Sequence, residues 1–293
     1  MSYTNKTLEQ LNVMDDFLMN AVTANPDVGE HFCRTVLSVL LQRKIEKIRI
    51  VSQRTIPAMI PGLRGIRMDV EIEEFGEEAD MPVNVYDLEP HLQKGIHLPR
   101  HNRFYQAKID GRSMKSGETD FLKLPNLYVL TITNYDPFGY DYMMYRIRNR
   151  CEEVPQLQYD DGLEFIYFYT GGQKGGNESI KAMLNYLEHS VEENAVDEAT
   201  KEVHRFVGQV KVLPEVRFKY MTLGDYIYYE RLEAAEDAYV NCIIDLLSEY
   251  GDVPEALKEQ LSETNDINKL KAWHKLAARV NDIQEFADKI NAE

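Results

Sequence analysis

The chain has 293 residues, 44% hydrophobic and 28% charged, enough for one large globular domain or a domain with an appendage. It holds no apolar run of membrane-spanning length, and its first residues lack the hydrophobic segment of a signal peptide, so a cytoplasmic protein with no membrane partner is expected. A net charge of −16 argues against a general nucleic-acid binder. Cys33, Cys151 and Cys242 fit neither a zinc pattern nor a disulfide framework, and buried free thiols are expected.

Leu8, Leu11, Met14, Phe17, Leu18 and Val22 recur at helical spacing, and Asn25-Pro26-Asp27 separates them from a second helix carrying Phe32, Val36, Leu37 and Leu40. Alternation around Ile48 and Ile50 marks a strand, and Pro57, Pro61 and Gly62 a loop. Gly65–Glu73 and Val83–Glu89 then alternate with a period of two, joined through Phe75–Asp80 as a hairpin. In the first of these, Met68, Val70 and Ile72 are expected on one side and Arg67, Asp69, Glu71 and Glu73 on the other. Pro90 has no N–H, so the second strand is expected to end there or to lie at an edge.

Residues 99–114 return to helix from Pro99, with Arg100, Arg103, Gln106 and Asp110 on one face and Phe104 and Ala107 on another. The apolar run Asn126–Thr133 suits a central strand buried on both faces. Met143–Cys151 and Leu163–Thr170 suit two more strands. Gly171–Gly176 lacks P-loop spacing and suits a strand-to-helix connection. From Ser179 onward the chain is expected to be helical, with long amphipathic segments over 196–213 and 225–249. Capping-box patterns open at Asp252 and Asn281. Tyr226, Tyr228 and Tyr229 are expected to pack rather than to stack on bases.

Folding the hairpin brings Asp69 near Glu89. Two converging carboxylates repel unless a cation lies between them, and hard oxygen donors suit Mg²⁺ or Mn²⁺. Glu71 and Asp87 share that face as outer ligands. His91 shares it too, placed to orient or deprotonate a water, or to meet phosphate when protonated. The pair is bracketed by charge. Residues 42–67 carry seven Lys/Arg against Glu46, and residues 91–115 six against Asp110. That pattern suits a metal site beside a phosphate-binding surface, with Arg100, Arg103 and Gln106 against a nucleic-acid backbone. On spacing alone, a Glu-rich strand face is more often solvated than metal-binding.

Gly65-Ile66-Arg67-Met68-Asp69-Val70, Asn84–Glu89 and Pro99–Asp110 resemble the Rpn family of recombination-promoting nucleases and transposase-associated proteins, which are PD-(D/E)XK nucleases. Ser116-Gly117-Glu118, Leu124–Val129, Tyr135–Gly139 and Asp15-Asp16-Phe17 extend the resemblance over about residues 10–235. It implies a restriction-endonuclease-like α/β fold: a mixed β-sheet core flanked by helices. It also implies DNA cleavage with Mg²⁺ or Mn²⁺, with Asp69 and Glu89 as metal ligands and Asp16, or Asp15, joining them. The family places Gln or Lys two residues after the second acid, where this chain has His91.

These readings give residues 1–224 as the nuclease-like domain and 225–293 as a helical C-terminal region that sets a homo-oligomeric state. The expected activity is a Mg²⁺-dependent DNA endonuclease with Asp69, Glu89 and His91 at its centre. The alternative is a degenerate member of the family that binds DNA or protein without cleaving.

Overall fold

The computed structural model describes residues 6–52, 55–56, 66–76, 81–94, 97–114 and 116–292. The expected loop at Pro57, Pro61 and Gly62, the tip of the hairpin at 77–80, and Arg54, Arg64 and Lys115 lie outside these residues. The chain divides into two compact units, Thr7–Arg217 and Phe218–Glu293, the second joined by Lys6 through the Tyr220 hydroxyl. Among the described residues, no helix is long and apolar enough to cross a membrane.

The first unit is α/β. Its strands are β1 (Lys47–Ser52), β2 (Thr55–Ile56), β3 (Ile66–Arg67), β4 (Val70–Phe75), β5 (Pro82–His91), β6 (Asn126–Thr133), β7 (Met144–Ile147) and β8 (Leu163–Tyr169). Six of them form a mixed sheet in the order β1-β4-β5-β6-β8-β7, and β2 pairs with β3 apart from it. The β1-β4-β5 part is antiparallel, whereas β5, β6 and β8 run parallel. Between β5 and β6 the chain crosses over through α3 (Leu98–Ser113).

The register sorts the side chains into two faces. Glu71 lies opposite Asp87, Asp87 beside Val129, and Glu89 beside Thr131. This face receives α3, whose Tyr105 and Ile109 pack with Met68, Val85, Leu127 and Val129. The buried face of α3 is therefore Leu98, Asn102, Tyr105 and Ile109, and Phe104 and Ala107 are exposed. Met68 sits under α3 with Val85, although alternation puts it with Val70 and Ile72. The strand starts only at Val70, and a bend at Asp69 breaks the period.

Val70, Ile72, Tyr86, Leu88, Leu130, Ile132, Ile166 and Phe168 point the other way and are buried. Helices α1 (Asp16–Thr23), α2 (Gly29–Leu41), α4 (Glu178–Glu188) and α5 (Glu198–Lys211) pack on one another, and α1 and α2 also on β1. They contribute Leu18, Val22, Phe32, Leu37, Leu184 and Val207 to the core. The first helix is shorter than its apolar spacing suggests, because Asp15 turns back to accept from the Asn12 N–H (2.8 Å) and starts α1 at Asp16.

Several strand acids are held internally by the flanking basic segments. Arg43 pairs with Glu74, which also receives the Tyr86 hydroxyl, and Arg49 pairs with Glu73. Asp136 fastens the turn after β6 by accepting from the N–H groups of Phe138 (3.0 Å) and Gly139 (2.8 Å) and from the Tyr145 hydroxyl (2.8 Å). Of the expected strand Met143–Cys151, Met144–Ile147 pairs, as β7 at the sheet edge. The glycine segment 171–176 connects β8 to α4 as expected. Cys33 alone is a buried thiol; Cys151 is half-buried and Cys242 exposed.

Helix α6 (Pro214–Ser248) spans 35 residues, and the two units part within it, seven residues before Gly224. Between Arg217 and Tyr239 none of its residues is buried. Tyr226, Tyr228 and Tyr229 are exposed there, contrary to the packing role expected of them. Its last turns join α7 (Glu255–Ser262), α8 (Ile267–Ala277) and α9 (Ile283–Asn291) around Ile243, Leu247, Leu261, Leu270, Trp273 and Phe286. Asp282 caps α9 by accepting from the Glu285 N–H (2.8 Å). The expected box at Asp252 does not form, because Pro254 is the N-cap of α7.

Leu130 is fully buried on the interior strand β6. Leu130→Ala should lower unfolding free energy by about 2–5 kcal/mol in urea titrations, with an unchanged m-value. A loss below about 1 kcal/mol would be too small for a fully buried leucine.

Candidate metal centre

The centre forms at the carboxyl end of β5, where the antiparallel pairing with β4 has just ended. Asp69 stands one residue before β4, and its backbone N–H donates to Glu89 Oε1 at 3.4 Å. The last β4–β5 pair is Val70 with Leu88, so Pro90 no longer faces β4. That lets a residue without an N–H sit in an interior strand. Beyond it, His91 Nε2 lies 3.6 Å from Glu89 Oε2. The carboxyl ends of parallel strands are where open α/β sheets commonly bind ligands.

Asp16 stands exposed at the start of α1, and its charge is felt by both Glu89 and His91. Asp15 is buried at the N-cap position of α1, with its carboxylate turned back to the Asn12 N–H. Burial and the neighbouring Asp69 carboxylate push Glu89 up to about 8; Asp16 adds to this, and the Asp69 N–H opposes it. Burial lowers the His91 pKa despite the opposing pull of Asp69 and Asp16. His91 is thus neutral at pH 7 and offers a lone pair, not the positive charge expected for phosphate contact.

The two expected outer ligands are otherwise engaged. Glu71 is fully buried and held by Arg112 from α3. Asp87 is also fully buried, and neither oxygen has a hydrogen-bond partner among the described residues. Burial, and then the charges of Glu89 and Asp69, raise its pKa well above the carboxylate range.

Sequence reasoning missed His101. It lies on the first turn of α3, and its ring meets that of His91 edge to face, with centroids 4.9 Å apart. Glu89, His91 and His101 each offer a donor atom, and these atoms all lie within 4.8 Å of one another. The available signal was position: a strand ending in His91, followed after a short connection by a helix with a histidine in its opening turn.

The residues fit a divalent cation. Glu89 supplies an oxygen donor and His91 and His101 ring nitrogens, whereas Asp69 and Asp16 lie outside that group and act on Glu89 through charge; among the described residues, the buried His91 Nε2 has no hydrogen-bond partner. The expected DNA contacts are placed separately: Arg100 and Arg103 are exposed on α3, whereas the Gln106 amide is tied to Asp110. Comparison with protein families, with curated proteins and with solved structures returns no match.

The raised Glu89 pKa sets a sign for stability. The folded chain holds this proton more tightly than the unfolded chain does. The contribution is fully present below about pH 4.5 and is lost as pH rises through about 8. Chelator-treated protein should therefore melt at lower temperature as pH rises from 5 to 8, and Glu89→Gln should flatten that decline. Parallel declines in parent and variant would show that Glu89 is not the titrating group.

Proposed function

We propose that this chain is a divalent-metal-dependent DNA endonuclease of the PD-(D/E)XK kind, with a restriction-endonuclease-like core. The observation that carries this reading is the hydrogen bond from the Asp69 N–H to Glu89, just past the last β4–β5 pair, with the charges of Asp69 and Asp16 both acting on Glu89. Left as bare charges, the two acids beside the buried Glu89 carboxyl repel it, and Glu89 responds by holding a proton more tightly. A divalent cation held there would supply the compensating charge and the acidity that a bound water needs to serve as the nucleophile in phosphodiester hydrolysis.

The protein's own groups have distinct parts in this reading. Asp69 and Glu89 hold the cation, and Asp16 adds charge from the helical side. The Asp69 N–H steers one Glu89 oxygen, leaving the other toward His91. Arg100 and Arg103 position the phosphate backbone from the exposed side of α3.

A second reading has a specific observation in its favour. His91 stands where the resembled family has Gln or Lys; it is half-buried, and burial lowers its pKa, which favours the neutral ring. It supplies no positive charge to a developing phosphorane. A catalytically degenerate binding module would keep the fold and the DNA surface but not cleave.

Parent protein should nick supercoiled plasmid with Mg²⁺ or Mn²⁺, and the Asp69→Ala, Glu89→Ala double variant should fall to background. A double variant as active as the parent would refute the assignment, and an inactive parent that still binds DNA would favour the degenerate module.

Arg100→Ala with Arg103→Ala should weaken DNA binding and lower the log–log salt slope by about two, as read by titration at several salt concentrations. An unchanged slope would remove these arginines from the interface.

A further inference from the structure

The donor set at the end of β5 is richer in nitrogen than an oxygen-only Mg²⁺ site. Glu89 is 5% exposed and projects from the strand, and His91 is two residues further along. His101 arrives from a different element, yet one donor atom of each lies within 4.8 Å of the other two.

The second histidine is oriented from behind. Asn102 is buried, and its Nδ2 donates to the Thr131 hydroxyl on β6 (2.8 Å). Asn102 Oδ1 in turn lies 3.2 Å from His101 Nδ1. With Nδ1 as the donor to that amide oxygen, the lone pair of the ring resides on Nε2. A carbonyl-type acceptor behind one ring nitrogen is the usual support for an imidazole that ligates through the other.

We propose that Glu89, His91 and His101 form a site for a first-row transition ion of the Zn²⁺ class. This rests on the cation site described above and changes its preferred occupant. Mg²⁺ prefers oxygen donors and sheds its water reluctantly, whereas imidazole suits Zn²⁺ and its neighbours. Two imidazoles and one carboxylate leave a fourth position open for water or a phosphate oxygen, the pattern of catalytic zinc sites. Donors about 2.0–2.1 Å from a tetrahedral ion lie about 3.3 Å apart, so the three side chains draw together on binding. Asp69 and Asp16 then act through charge from outside the ligand set.

The test uses the full chain, stripped with chelator and dialysed against Zn²⁺ alone or Mg²⁺ alone, with bound metal measured by elemental analysis. The parent should take up about one more Zn²⁺ per chain than His101→Gln, and the affinity for that ion should drop at least about 10-fold in the variant. His91→Gln should show the same loss. In NMR titrations, the ring nitrogens of His91 and His101 should shift together with Zn²⁺ and stay in place with equal Mg²⁺. Equal Zn²⁺ uptake by the parent and a variant that melts normally without metal overturns the site, as do unmoved ring resonances. If one variant fails to fold, the other and the parent's spectra decide the matter. Zn²⁺ uptake without DNA nicking would leave this site standing and remove the nuclease reading. Mg²⁺-dependent nicking with no His101-dependent Zn²⁺ uptake would do the reverse.

Discussion

Three carboxyl groups in succession, Glu71, Asp87 and Glu89, are buried on one face of the sheet beneath α3. An unpaired charge in such a place is strongly unfavourable, and each acid meets the constraint differently. Glu71 receives a guanidinium from Arg112, and burial raises the pKa of Asp87 well above the carboxylate range. Glu89 lies at the end of the row, with the Asp69 N–H on one of its oxygens and His91 Nε2 3.6 Å from the other. The gradient from internal ion pair to candidate cation site runs along the strand ends.

That constraint also explains the composition of α3. A helix laid over an apolar sheet would present an apolar stripe, but this one presents Leu98, Tyr105 and Ile109 together with Asn102 and Arg112. Arg112 serves Glu71 at one end of the helix. Asn102 bridges to Thr131 at the other, beside His101. Polar groups thus occupy both ends of the contact, with the apolar packing between them. The helix is positioned by its polar partners as much as by area, because a shift of one turn would leave several buried polar groups unsatisfied.

Where local periodicity determines structure, the sequence was a sound guide. The hairpin bearing Asp69 and Glu89, the central strand Asn126–Thr133 and the helix from Pro99 were all legible, since strand and helix periods follow from backbone geometry. Faces were harder to read. Met68 departs from alternation because the bend at Asp69 resets the period, and the buried face of α3 includes Asn102, which composition assigns to solvent. Glu71 looked like a metal ligand until Arg112, 41 residues away in sequence, was found beside it. His101 left only a weak signal, its place in the opening turn of the helix that follows His91, because spacing does not say that the two rings meet. The exposed tyrosines of α6 show the limit of amphipathic reasoning, because helical spacing identifies a stripe but not whether anything covers it.

Helix α6 is unusual in how its stability is distributed. Its two ends are anchored by burial, Val216 near the start and Val240, Ile243 and Leu247 near the finish. The stretch between them buries no residue and is held mainly by its backbone hydrogen bonds and by the Tyr220 hydroxyl on the Lys6 carbonyl, with Gly224 in its interior as a weak point. Helical segments without tertiary burial open at low free energy, independently of global unfolding. The middle turns of α6 can therefore fray and re-form while the sheet and the C-terminal helical cluster stay folded. Amide exchange should be fast there and slow on either side. The chain thus has a built-in local melting point at the seam between its two units, and proteases would find it first.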